Sequence, residues 1–184
     1  MWAIVSIDEL SFFEAERRLV GILIAQEFDR HALDWVFDAW QELHFLSHMN
    51  WHIAVPCRKI PDSRRPERRD FDVQLSNRLR EMYGISRRET PVLVLDNFIE
   101  EERQLYLPIG TDERSRKAMF TSMAEFIDKR MSEIHFDGRP DHRMRRALID
   151  DLYNHMQVQA LGANVLKLAP HAASAAAKLL RGGH

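Results

Sequence analysis

The sequence predicts an α/β protein in which helices flank a mixed central sheet. Two observations lead to this class. Short apolar, strand-like runs alternate with helix-like stretches over most of the 184 residues, and one such run, residues 92–95 (VLVL), begins directly after Pro91. Alternation of this kind is typical of helices packed on a largely parallel sheet. Proline donates no hydrogen bond to a sheet ladder, but it is tolerated at the first residue of a strand.

The first half of the chain predicts two strands and two helices. Residues 1–7 (MWAIVSI) are rich in strand formers, and Ser11 with Glu14 has the spacing of a capping box that opens a helix. Residues 20–25 (VGILIA) are almost all apolar, as in a strand covered on both faces. Asp29 is placed to cap a helix over residues 29–49. Its apolar residues recur at helical spacing: Leu33, Val36, Phe37, Trp40 and Leu43.

The second half continues the alternation. Residues 51–55 (WHIAV) predict a strand, and residues 71–83 predict a helix that Gly84 ends. Residues 91–95 and 104–109 (QLYLPI) then predict two antiparallel strands. A helix over residues 115–134 follows, with an apolar face formed by Met119, Met123, Phe126, Ile127 and Met131.

Residues beyond 134 predict a helical extension. Gly138 and Pro140 mark a linker, one helix begins at Asp141, and a second, alanine-rich helical stretch covers residues 163–180. We therefore divide the chain into a domain of residues 1–134 and an extension of residues 135–184. The extension either packs back on the sheet or gives a homodimer or hetero-complex an apolar face over residues 141–180.

The stretch around Pro91 resembles the thioredoxin-like family. Tyr83-Gly84-Ile85 ends a predicted helix and Thr90-Pro91 opens the next strand. In that family a similar Tyr-Gly-Ile sequence ends a helix, and a cis proline beside the active site opens a strand. The resemblance covers about residues 1–134 and implies a thioredoxin-like mixed sheet. It also implies that Thr90 and Pro91 contact an extended bound peptide.

The chain departs from that family where its redox members carry Cys-x-x-Cys, at the start of the helix after the second strand. The matching stretch, residues 28–34 (FDRHALD), contains no cysteine. Thiol–disulfide exchange at this position is therefore excluded, and we assign partner contacts there to Asp29, Arg30, His31 and Asp34.

Cys57 is the only cysteine of the chain and follows the third predicted strand. Arg58 and Lys59 come directly after it, and positive charge favours a reactive thiolate. The alternative is a buried strand-end cysteine without a role.

Composition narrows the function classes. The formal net charge of −2 argues against a dedicated nucleic-acid or anionic-membrane protein. There is no apolar run of about 20 residues and no visible secretory signal, so we expect a cytoplasmic protein with no membrane contact. His44 and His48 have ligand spacing but lack the glutamate of a zinc-protease motif, and no glycine-rich phosphate loop is present. We expect no catalytic residues, no metal and no cofactor.

The segment 58–70 (RKIPDSRRPERRD) is strongly basic. Its arginines could bind an acidic partner surface, phosphate or RNA, or the segment could be a solvated insertion. It contains no aromatic residue for base stacking. We assign partner contacts to Arg64, Arg65, Arg68 and Arg69.

The sequence thus favours a non-catalytic, chaperone-like or accessory protein-binding module that carries out no thiol–disulfide exchange. A glutathione-dependent transferase-like enzyme on the same fold is the alternative. Weak nucleic-acid binding through the basic segment is a third hypothesis.

Overall fold

A computed structural model of the chain describes residues 1–15, 19–47, 50–60, 65–98, 103–110, 112–134, 142–158 and 167–170. Within these ranges the chain forms one mixed sheet and six α-helices. The strands are β1 (Trp2–Ile4), β2 (Leu19–Ile24), β3 (Trp51–Pro56), β4 (Val92–Asp96), β5 (Arg103–Pro108) and β6 (Lys167–Pro170). The helices are α1 (Leu10–Ala15), α2 (Arg30–Asp38), α3 (Trp40–Ser47), α4 (Val73–Met82), α5 (Glu113–Ile134) and α6 (His142–Val158).

The six strands lie in the order β1-β3-β2-β4-β5-β6. β3 is parallel to both of its neighbours, β1 and β2, whereas the pairs β2–β4, β4–β5 and β5–β6 are antiparallel. The predicted mixed α/β class is therefore confirmed. Among the residues that the structure describes, no helix is both long enough and apolar enough to cross a bilayer.

Side-chain alternation along β2 builds a core on each face of the sheet. Leu19 and Leu23 point to the face covered by α2, α3, α5 and α6, and Val20, Ile22 and Ile24 point to the face covered by α1 and α4. All six residues of β2 are buried. This explains why the strand reads as a continuous apolar run rather than as an alternating one.

The predicted helix over residues 29–49 is two helices, α2 and α3, separated at Ala39. The carbonyl groups at this break are bound by a residue far away in sequence. Arg65 donates hydrogen bonds to the carbonyl oxygens of Phe37 and Asp38, which would accept the N–H groups of residues 41 and 42 in a continuous helix.

The two predicted capping roles in the first half are wrong in detail. Ser11 lies inside α1 because a 3-10 turn over Ile7–Glu9 starts the helical stretch earlier, and its hydroxyl donates to the carbonyl of Asp8. Asp29 does occupy the N-cap position of α2. Its carboxylate, however, accepts the N–H of Gln26, three residues back, instead of a helix N–H.

The predicted extension packs against the rest of the chain where the structure describes it. Leu148, Ile149, Leu152 and Met156 of α6 are buried in the core that also contains the inner face of α5. These four side chains are therefore not available to a partner.

Residues 167–170 form strand β6, so the helix predicted over 163–180 is wrong at these four positions. β6 pairs antiparallel with β5, with Gln104 opposite Ala169. An edge strand pairs through its main chain, so the side-chain pattern gave no sign of it. The remainder of that stretch, and the linker at 135–141, lie outside the described residues.

α4 ends in the way that Tyr83-Gly84-Ile85 predicts. Gly84 has a φ of +64°. The Gly84 N–H donates to the carbonyl of Glu81, and the Ile85 N–H donates to that of Arg80. This pair of bonds is the Schellman motif, which satisfies helix carbonyls that would otherwise lack a donor.

A buried polar network ties this helix end to β4 and β5. The Tyr83 hydroxyl and the Gln104 side-chain amide both donate to the carboxylate of Asp96, each at 2.9 Å. The Tyr106 hydroxyl donates to the carbonyl of Tyr83 at 2.8 Å. Burial, together with the charge of Asp96, raises the pKa of Tyr83 well above its ordinary value and raises that of Tyr106 to about 12.

Replacing Gly84 should destabilise the protein through its backbone alone. A Cβ at this position would meet nothing within 4 Å, so only the left-handed conformation opposes it. We expect Gly84→Ala to lower the free energy of unfolding by about 1–2 kcal/mol, measured by urea denaturation. Gly84→Asn should cost less, because asparagine tolerates this conformation. An equal loss in both variants would contradict the assignment.

The protein should lose stability at alkaline pH. A tyrosine of the unfolded chain deprotonates near its ordinary pKa of 10.0, whereas Tyr106 of the folded protein does so near 12. The free energy of unfolding should therefore fall as the pH rises through this interval. Urea denaturation across it measures the slope, which should be shallower in Tyr106→Phe; an unchanged slope would show that Tyr106 does not contribute.

Candidate functional site

The predicted partner-binding residues meet at one edge of the sheet. β2 and β3 are parallel and end there, and β4 begins there, directly after a cis Thr90-Pro91 peptide bond. Ile24 lies opposite Val92 in the β2–β4 register, which brings Pro91 next to the turn that leads into α2. The carboxyl ends of strands are where α/β proteins place their binding sites.

The turn from β2 into α2 satisfies its own main-chain groups. The Gln26 N–H donates to Oδ2 of Asp29 at 2.7 Å, and the Asp29 N–H donates to the Gln26 carbonyl at 3.0 Å. If the β2–β4 ladder continued for two more residues, Gln26 would face Thr90. The main chain of Ala25 is bound by the Ser76 hydroxyl and that of Gln26 by Asp29, so neither residue extends the ladder toward Thr90.

Thr90 is held from both sides but keeps its own main chain open. Its hydroxyl donates to the carbonyl of Arg87 at 3.0 Å, and the neighbouring Pro91 carbonyl accepts the Ile109 N–H at 2.8 Å. Beyond the 3-10 turn over Arg87–Glu89, which Thr90 ends, the N–H and C=O of Thr90 make no main-chain hydrogen bond to the described residues. Thr90 is half-buried. Main-chain groups that are not paired within a sheet can accept and donate hydrogen bonds to another strand.

Three residues extend this surface along the start of α2. Arg30 and His31 are exposed in the first turn of the helix. Phe28, in the turn before it, is 68% exposed. Phe28 was not among the predicted contacts, although a lone phenylalanine among polar residues between a strand and a helix is a usable signal.

Asp34 pairs with the basic segment and not with His31. Nη1 of Arg68 lies 2.8 Å from Oδ1 and 3.0 Å from Oδ2 of Asp34. Arg65 binds the end of α2, as described above, and Nε of Arg69 lies 3.0 Å from a carboxylate oxygen of Glu67. Residues 65–70 are therefore laid along α2. Arg64 falls outside the described residues.

These contacts form a cavity of about 630 Å³ that we call the arginine cleft. It lies between the start of α2, the end of β3 and the start of α4. Six charged residues line it: Arg30, Arg58, Arg68, Arg69, Glu27 and Asp72. Asp72 is engaged, because its carboxylate accepts the N–H groups of Gln74 and Leu75 as the N-cap of α4. The sequence named most of these arginines but could not show that three separate segments bring them together.

Cys57 does not have the reactive environment that its basic neighbours suggested. It is fully buried, and its N–H donates to the carbonyl of Ile4 at 2.8 Å. Burial, with a further contribution from the charges of Asp70 and Asp72, raises the pKa of the thiol to about 12. The proximity of Arg58 in sequence therefore does not produce a thiolate.

A larger groove of about 990 Å³ lies between α5 and α6. In it the Ser122 hydroxyl and Nε2 of His155 are 3.0 Å apart, and the His155 ring stacks on Phe126. In the described part of the chain, no carboxylate hydrogen-bonds the other nitrogen of His155, and Asp151 binds Arg130 instead. The pair therefore lacks the third group that orients a catalytic histidine.

The Cys57 thiol should be inert in the folded protein. We expect no reaction of the native protein with a disulfide reagent such as DTNB at neutral pH, and full reaction after unfolding in urea. Spectrophotometric counting of thiols measures both, and Cys57→Ala provides the blank. Rapid labelling of the native protein would contradict the burial and the raised pKa.

Comparison of the chain with protein-family models, with curated protein sequences and with solved structures finds no match in any of the three. The resemblance to the thioredoxin-like family therefore stays a prediction from the sequence.

Proposed function

We propose that the protein is a redox-inactive, thioredoxin-like binding module that holds an extended segment of a partner protein. The observation that carries this proposal is the open main chain of Thr90, which faces a turn that has satisfied its own hydrogen bonds. An extended peptide adds to such an edge through main-chain hydrogen bonds, and side-chain pockets then select its sequence. Phe28 offers an apolar contact beside that edge.

Three features support the thioredoxin-like assignment. The strands β1 to β5 and the helices between them follow the element order expected from the resemblance. Tyr83-Gly84-Ile85 ends α4, and a cis Thr90-Pro91 bond precedes β4. The cis bond lies at the edge where α2 begins, whereas the Tyr83 side chain reaches Asp96 at the far end of β4.

The chemistry of the site supports holding rather than transforming a partner. The stretch at the start of α2 offers guanidinium, imidazole and carboxylate groups but no sulfur. The one thiol of the chain is buried beneath the edge, with a pKa of about 12. A scaffold, chaperone-like or accessory role fits these groups better than redox or transfer chemistry.

Selection of binders from a random-peptide display library, followed by NMR, tests this function. We expect selected peptides to shift the amide resonance of Thr90 and to slow its hydrogen exchange, because the peptide pairs with its N–H. The amide of Leu105, which pairs with the far end of β4, serves as the internal control. Peptides that bind without affecting Thr90, or a selection that yields no binder, would refute the proposal.

Chromatography of the same protein on immobilised glutathione tests the alternative enzyme function. A glutathione-dependent transferase should be retained specifically on immobilised glutathione and released by free glutathione, whereas the binding module should flow through. Specific retention would favour the transferase-like alternative over the proposed module.

A further inference from the structure

The arginine cleft continues the surface that begins at Thr90. In the strand order β3-β2-β4, the end of β2 lies between the end of β3 and the start of β4. Arg58 of the cleft follows β3, and Thr90 precedes β4. The turn into α2 connects the two, and its residue Phe28 is exposed. A segment that pairs with Thr90 and continues across this turn arrives at Arg30.

We propose that the partner segment is acidic, and that carboxylate or phosphate groups on its side chains lie in the arginine cleft. This inference rests on the proposed peptide-binding function and adds the chemistry of the partner.

Two guanidinium groups of the cleft are uncommitted in the part of the chain that the structure describes. Arg30 and Arg58 are exposed and form no ion pair with the described residues. Arginine presents several N–H groups in a planar fork, so two of them can hold a carboxylate or phosphate from two directions. Of the other two arginines in the lining, Arg68 pairs with Asp34 and Arg69 with Glu67. The lining carboxylate of Asp72 already caps α4.

A third guanidinium is fixed in place for the same task. Arg68 contacts Asp34 through Nη1 alone, and its side chain remains 48% exposed. The contact with Asp34 already orients the guanidinium of Arg68. Its other N–H groups can therefore bind an anion with little further loss of side-chain entropy.

The lining favours an acidic peptide over a nucleic acid. Phe71 is the one aromatic residue of the described lining, and it is only 3% exposed, so it offers no face on which a base could stack. A volume of about 630 Å³ admits several side chains of a peptide.

Charge reversal of the two uncommitted arginines tests the proposal. The display selection is repeated on the wild-type protein and on the Arg30→Glu/Arg58→Glu variant. We expect wild-type binders to be enriched in acidic residues and to bind the variant at least about tenfold more weakly, since charge-assisted contacts are lost. Arg78→Glu/Arg114→Glu, which makes the same change in net charge at exposed positions on α4 and α5, should bind normally.

Synthetic versions of one selected peptide separate the two sources of negative charge. They carry glutamate, phosphoserine or neutral glutamine at the enriched acidic positions. Binding of the glutamate or phosphoserine form, with loss in the glutamine form, supports the cleft, and the tighter of the two names the preferred group. Circular dichroism establishes that the variants are folded.

The outcomes distinguish the cleft from the peptide edge. Binders that shift the Thr90 amide but show no acidic preference would overturn the acidic-partner inference and leave the edge intact. Equal weakening in the Arg78→Glu/Arg114→Glu control would overturn it as well, because the effect would then come from net charge. A selection without any binder would overturn both proposals.

Discussion

The antiparallel pairing of β2 with β4 is the constraint on which the rest of the molecule depends. It joins the parallel half of the sheet to the antiparallel half, and its register opposes Gly21 to Leu95 and Ile24 to Val92. At Gly21 a Cβ would lie 3.1 Å from the side chain of Leu93, so glycine allows the close packing of the two strands. In the same register the pairing ends at Val92, so Pro91 and then Thr90 precede β4 without a partner on β2.

Both ends of β4 are needed to keep that edge open. At the far end, Asp96 accepts hydrogen bonds from Tyr83 and Gln104, and this buried network joins α4, β4 and β5. Removing one donor would leave a buried charge short of a partner, which costs about 1–3 kcal/mol. At the near end, Pro91 is held by Ile109. Thr90 is thus presented by a strand whose position is fixed at both ends, so a bound segment loses little affinity to ordering of the protein.

The sequence predicted those features that depend on local patterns. Gly84 ends α4 because a left-handed residue is needed there, and the apolar run of β2 reflects burial on both faces; both are visible in single stretches. The break between α2 and α3 was not visible in the local pattern, and Arg65, which binds the carbonyl groups there, lies 26 residues beyond Ala39 in the chain. β6 was missed for a related reason, since its pairing uses main-chain groups. The individual site residues could be named from the sequence, but their grouping into one cleft depends on tertiary contacts.

The basic segment shows how the same arginines can serve both the fold and a ligand. Arg65 donates hydrogen bonds to carbonyl groups at the end of α2, where its positive charge also interacts favourably with the negative end of the helix dipole. Arg68 is half engaged, because Asp34 binds only one of its nitrogens, and an exposed pair of this kind contributes at most about 1 kcal/mol. Such a weak contact orients the guanidinium and leaves its other N–H groups open to a ligand. The segment therefore needs no partner to be ordered at Arg65. It still carries more positive charge than its own carboxylates neutralise, and that excess lies on the surface that begins at Thr90.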